Sequence, residues 1–194
     1  MLKYYEALGD VSKAIESDPG QARYYSLRGV INNRTGRHRE ALCDFDKAIQ
    51  LSPNDPGAYA NPANLYLQID RRDLAMKDFD RAIKLSPMQA EIYYNRANAR
   101  TVEGDNRGAL RDVGKAIDLD HGKIDYYLLR AEILAALGRH QDAMEDCNSA
   151  IRFDSYCVAG YRQRAELHRE IGHHQQATQE IFSTRDRKKR CYWQ

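Results

Sequence analysis

Small and apolar positions recur along this chain every 34 residues, with no insertion or deletion. Glycine or alanine stands at Gly29, Ala63, Ala97, Ala131 and Ala165, and alanine again at Ala7, Ala41, Ala75, Ala109, Ala143 and Ala177. A second alanine series follows at Ala14, Ala48, Ala82, Ala116 and Ala150, and breaks at Thr184. Tyrosine keeps the same step at Tyr25, Tyr59, Tyr93, Tyr127 and Tyr161, and isoleucine at Ile15, Ile49, Ile83, Ile117 and Ile151. Between the aromatic half and the alanine half of each period falls Gly36, Asp70, Gly104, Gly138 or Gly172, residue types that end a helix readily, and Pro19, Pro53 and Pro87 mark the exit from the alanine half. The pattern predicts two short antiparallel helices per period. Such a pair cannot bury its apolar face alone, so each needs a neighbour. Alanine and glycine fall where helix axes approach most closely; tyrosine and isoleucine fill the gaps between pairs.

An aromatic, a small residue four later, a turn, an alanine, a second alanine seven later and a proline resemble the tetratricopeptide repeat (TPR) over nearly the whole chain. Five repeats fit, near 22–55, 56–89, 90–123, 124–157 and 158–191, with residues 1–19 as the second helix of a truncated repeat. His121, Ser155 and Lys189 depart from the family pattern where earlier repeats have proline, and the fifth repeat is the most degraded. The resemblance implies an all-α fold, a right-handed α-solenoid of antiparallel helix pairs (the TPR superhelix) over 22–184, whose concave inner face is lined by the first helix of each pair. Residues 185–194 form a basic tail outside the repeat.

One residue before each small position stands Arg28, Arg96, Arg130 or Arg164, but in the second repeat Pro62. Sixteen residues after these places stand Asp44, Asp78, Asp112, Asp146 and Glu180. An arginine and an acid kept at each step predict a charge-assisted contact between helices. Pro62 should then leave one aspartate unpaired: Asp78 if the contact lies within a repeat, Asp44 if it reaches to the next. Asp10, which has no arginine of its own, leans toward the second. A proline inside a helix also removes a backbone donor and clashes with the preceding turn, so Pro62 predicts a bend in its helix.

The TPR resemblance further assigns the groove lining. It implies an extended peptide or partner helix held by Asn61, Asn64, Asn95 and Asn98, with Tyr94, Leu128 and Arg162 around them. An amide offers donors and an acceptor, so a row of them can pair with a peptide backbone whatever its side chains. This resembles the asparagine ladder of O-GlcNAc transferases, although Leu27, Leu129 and Gln163 take the matching places in other repeats. Arg23, Glu91, Asp125 and Glu132 also fall on this face. The carboxylate clamp of TPR co-chaperones matches only at Asn64 and Asn95; its other places hold Ala60, Asp125 and Leu129, and without the cations an acidic peptide tail is not the expected ligand.

Composition narrows the function further. Lys+Arg 30 against Asp+Glu 28 leaves a formal charge of +2, no case for nucleic acid or membrane as main partner. No apolar run approaches the roughly 18 residues a span needs, and the amino terminus lacks a signal-peptide pattern, so a cytoplasmic protein is expected. Cys43, Cys147, Cys157 and Cys191 show no metal or redox spacing and read as buried or incidental thiols. His38, His140 and His174 share one repeat position and read as packing residues beside His173, so no metal is expected. No nucleophile with a base, paired carboxylates or phosphate loop has a supporting context, so neither enzyme activity nor a cofactor is expected. Arg185, Arg187, Lys188, Lys189 and Arg190 read as solvated charges, and Cys191-Tyr192-Trp193-Gln194 is a poor prenylation frame because aromatics replace the usual aliphatics. The sequence thus points to a non-enzymatic scaffold for a protein or peptide partner. The alternatives are a self-assembling protein that stacks through its solenoid ends and, more weakly, an RNA-binding helical repeat.

Overall fold

The structure, a computed structural model, describes residues 2–191, and side chains from 3 to 182. Thr184 and the basic tail, Cys191 included, lie outside the described side chains. The described residues form eleven α-helices and no strand: α1 Leu2–Ser17, α2 Ala22–Arg34, α3 His38–Leu51, α4 Pro56–Gln68, α5 Arg72–Leu85, α6 Ala90–Val102, α7 Asn106–Leu119, α8 Ile124–Ala136, α9 His140–Phe153, α10 Val158–Glu170 and α11 His174–Cys191. The fold is all-α, of the solenoid class built from helix pairs. Two compact units divide at Ile92 and Tyr93.

Each first helix stops in the same way. The residue after its C-cap takes a left-handed conformation, with φ between 74° and 81° at Gly36, Gly104, Gly138 and Gly172, and 59° at Asp70. The next amide then turns back onto the last helical turn: Arg37 N donates to Asn32 O at 2.8 Å, Arg71 N to Tyr66 O at 2.8 Å, and Arg139 N to Leu134 O at 2.9 Å. That closure satisfies carbonyls the helix end would leave open, and it reverses the chain in about two residues. Starts vary more. Asp55 caps α4 by accepting from Gly57 N at 2.9 Å, Asp105 caps α7 through Gly108 N at 2.9 Å, and the Cys157 thiol stands in that place for α10, 3.4 Å from Gly160 N.

In the first unit, Tyr25 packs with Ile15 and Ala48, and Ala41 and Phe45 pack with Leu65 of the following pair. Ala41, Ala48, Ala63, Ala75 and Ala82 are wholly buried, which lets the paired helices approach closely, while Phe45, Leu65 and Phe79 fill what remains. Burying each of these larger side chains contributes about 1.5–3 kcal/mol. In the second unit the same places bury Ala109, Val113, Ala131, Ala143 and Cys147. Ala131, Leu134, Ala143, Cys147 and Leu167 form one cluster, so α10 contributes to the core of the pair before it. Burial pushes the Cys147 thiol up to about 12, which leaves it inert at neutral pH.

Candidate functional site

The charges on the first helices meet their partners within a pair. Arg28 Nη2 lies 2.7 Å from Asp44 Oδ1, Arg96 Nη2 2.6 Å from Asp112, Arg130 Nη2 2.7 Å from Asp146 and Arg164 Nη2 2.6 Å from Glu180. The contacts to aspartate are forked: Arg130 Nε and Nη2 reach the two carboxylate oxygens of Asp146, each at 2.7 Å, whereas Arg164 Nε and Nη2 both donate to Glu180 Oε1. A fork fixes direction as well as distance, and the guanidinium plane suits it. The hydrogen bond to the acid raises the pKa of Arg28 and of Arg130 against the opposing effect of burial. Each arginine also lies over the tyrosine three residues earlier, with 5.6 Å from Arg28 Cζ to the Tyr25 ring centre and 5.3 Å from Arg164 to that of Tyr161.

These geometries correct the lean toward a contact with the next repeat. Asp44 has its arginine, and Asp78 is the acid that stands opposite Pro62. Its carboxylate has no ion pair or hydrogen bond among the described residues, and burial, with the nearby Asp46 charge, pushes its pKa up to about 6. Burial, then the charges of Asp46 and Asp78, raises Tyr66 as well. Helix α4 nonetheless continues through Pro62, which is buried, to Gln68. Tyr59, deprived of the arginine its counterparts have, is covered instead by Arg81 of α5 at 5.7 Å.

Two members of this charge system were not legible in the repeat. Asn32 Nδ2 donates to Asp44 at 2.9 Å, and Arg100 Nη1 reaches Asp112 at 2.8 Å, so each acid gains a second donor one helical turn beyond the arginine. The corresponding places hold Tyr66, Leu134 and His168. No common residue type marks the position, so a search for repeated letters passes over it.

The amides assigned to ligand binding divide between the units. In the first, Asn61 and Asn64 are half-buried on α4. In the second, Asn95 and Asn98 are half-buried on α6, Leu128 is half-buried on α8 and Arg162 is exposed on α10. Asn98 turns its Nδ2 back to Tyr94 O at 3.1 Å, whereas Asn61, Asn64 and Asn95 make no hydrogen bond among the described residues. The Tyr94 ring packs on Tyr126 with centres 4.9 Å apart. Gln163, in register with Asn95, spans to the preceding first helix and donates to Leu128 O at 3.0 Å, which is how an amide at this register meets a main-chain carbonyl.

His38 Nδ1 lies 3.0 Å from Asn33 Oδ1 and His140 Nδ1 3.2 Å from Glu170 Oε2, both half-buried. His174 is exposed, which corrects its reading as a packing residue: no described helix covers that face of α11. Cys43 is exposed, and Cys147 and Cys157 are buried. Among the described residues no cluster of His, Cys, Asp and Glu could hold a metal, and no helix is long and apolar enough to cross a membrane.

The profile of the tetratricopeptide repeat matches residues 2–56, 63–123 and 102–156, and the chain belongs to that family. No curated protein matches it. Among solved structures it is similar to MamA, at TM-score 0.77 and 17% identity over 86% of this chain and 97% of that one. It is also similar to YrrB, a TPR protein with an unusual peptide-binding site, at TM-score 0.72 and 18% identity over 91% of each chain. PilF of Pseudomonas aeruginosa matches at TM-score 0.78 and 15% identity, over 85% of this chain and 75% of its own. At these identities the likeness is one of fold.

Proposed function

We propose that this protein is a non-enzymatic scaffold that holds an extended peptide or helix of a partner protein on the faces of its first helices. The observation that carries the reading is the set of half-buried amides of Asn61, Asn64 and Asn95 without an internal hydrogen bond. The side-chain N and O atoms of these amides are open to solvent, so a ligand backbone can take the place of water as both donor and acceptor. Gln163 bonded to the Leu128 carbonyl supports the chemistry within the molecule itself. YrrB, with its peptide-binding site, supports it by analogy of fold.

The test is selection of binding peptides from a random displayed library. The selected peptides are then measured against the parent chain and two variants, Asn61→Ala with Asn64→Ala, and Asn95→Ala with Asn98→Ala. Loss of affinity in either variant, with helical circular dichroism unchanged, supports the reading. Equal affinity in both removes the amides from it.

A second reading, self-assembly through the terminal helices, draws on the exposed Ile181 and Phe182 of α11 and Tyr5 of α1. A mass by light scattering that rises with concentration, and falls back in an Ile181→Lys, Phe182→Lys variant, would favour it.

A further inference from the structure

Arg130 and Arg164 stand one period apart and use their guanidinium groups differently. Arg164 gives Nε and Nη2 to Glu180 Oε1, and its Nη1 reaches the carboxamide oxygen of Asn148 on α9, the second helix of the pair before. Arg130 gives Nε and Nη2 to Asp146, and its Nη1 has no acceptor among the described residues. The difference lies one period before Asn148, where α7 carries Gly114 and so no side chain. Packing does not call for that glycine: a Cβ there would meet nothing within 4 Å, and glycine is the poorest helix former after proline. What it leaves is an open notch of about 360 Å³ between α7, α8 and α9, walled by Leu110 and Gly114, by Arg130 and Leu134, and by Glu145.

From this we infer that the α7–α8–α9 notch is a subsite for a carboxamide, the side chain of a glutamine or asparagine presented by a partner polypeptide. Its oxygen accepts from Arg130 Nη1, as the Asn148 oxygen does from Arg164, and its nitrogen donates to Glu145. Charge selects this group over its relatives. Arg130 is neutralised by Asp146, and Arg139, also in the notch, by Asp142 at 2.6 Å, which leaves the exposed Glu145 as the one carboxylate there without an ion pair among the described residues. An incoming carboxylate is repelled by it, and an ammonium brings no acceptor for Arg130. The notch is far larger than one amide, with room for an aliphatic stem against Leu110 and Leu134. None of the asparagines of the proposed peptide face lines it, so the two sites stand or fall separately.

The probe is glutamine blocked as its N-acetyl N-methylamide, titrated into the isotopically labelled full chain with amide NMR as the readout. Blocked norleucine and blocked glutamate, which share its two main-chain amides, are the controls. A ligand of this size binds weakly, so each titration is followed to about 100 mM. The expected result is saturable shifts at Gly114, Leu134 and Glu145 for glutamine alone, weakened about threefold by Glu145→Ala and abolished by Gly114→Asn, whose own amide takes Arg130 Nη1. The unperturbed remainder of each spectrum checks that the variants keep the fold, and because Glu145 is exposed its variant decides the matter even if Gly114→Asn does not fold. The inference is overturned by absence of shifts, by equal affinity for norleucine or for glutamate, by glutamine shifts that persist in folded Gly114→Asn, or by unchanged affinity in Glu145→Ala.

Discussion

The ring of Phe45 lies against the backbone of Gly29 so closely that a Cβ at residue 29 would fall 2.5 Å from Phe45 Cε1. The other first helices have alanine at this place, and in the third pair Ala97 is matched by the smaller Val113. Gly29→Ala therefore adds a methyl where there is no room, at about 1–3 kcal/mol, against a gain in helix propensity of about 1 kcal/mol. The expected outcome is a net loss of about 1 kcal/mol in urea unfolding. Adding Phe45→Val, which recreates the Ala97 and Val113 combination, should recover part of it; a double variant less stable than the single one would refute the steric account.

Pro62 stands where four other first helices carry an arginine, and Asp78 stands unpaired beneath it. Pro62→Arg restores a backbone donor, removes a ring from the helix interior and supplies the guanidinium. An interior proline costs about 3 kcal/mol before the helix adjusts to it, so a gain of about 2 kcal/mol is expected. For a chain of this size that is a rise of about 5 °C in Tm. Pro62→Ala separates the effects: it should gain less than the arginine variant at pH 7, and the gap between the two measures the charge contact.

The raised pKa of Asp78 carries a pH signature. A carboxyl at about 6 in the folded chain binds its proton more tightly than in the unfolded chain, where about 3.8 applies. Between these values the folded state holds more protons, so the contribution of this group to stability is fully present below about pH 4 and is lost as pH rises through 6. Asp78→Asn should thus raise Tm over the parent at pH 7.5, and the difference should close as the pH falls to 4. A difference independent of pH would rule out the titration of Asp78 as its cause.

At the turn of the second pair, Asp70 takes φ of 59° where the other turns have glycine. An L-residue in this conformation costs about 1–2 kcal/mol, less for aspartate than for most. Asp70→Gly should stabilise the chain by about 0.5–1 kcal/mol, because the pair of Asp70 with Arg72, at 3.0 Å on the surface, contributes little. Thermal melting at high and low salt checks both halves: the gain should be nearly the same in each.

The helix pairs were legible because their requirements are met by single residue types at fixed places. Close approach takes Ala or Gly, a left-handed turn takes Gly or Asp, and a repeated letter is visible without any structure. The arginine and the acid were legible for the same reason. Which acid answers which arginine was not, since a period of 34 fits a contact within a pair and a contact with the next pair equally well. The second donors, Asn32 and Arg100, were hidden because chemistry rather than identity is shared there.

Because arginine and acid belong to the same helix pair, each pair that has both is closed in charge. Duplicating or deleting such a period strands no buried carboxylate in the periods on either side. With a contact made across the boundary, Pro62 would instead have left Asp44, in the pair before it, without its arginine. A gene encoding this chain can thus change its number of repeats in single steps, and the pair bearing Pro62 can keep its unanswered aspartate without unsettling the salt bridges of its neighbours.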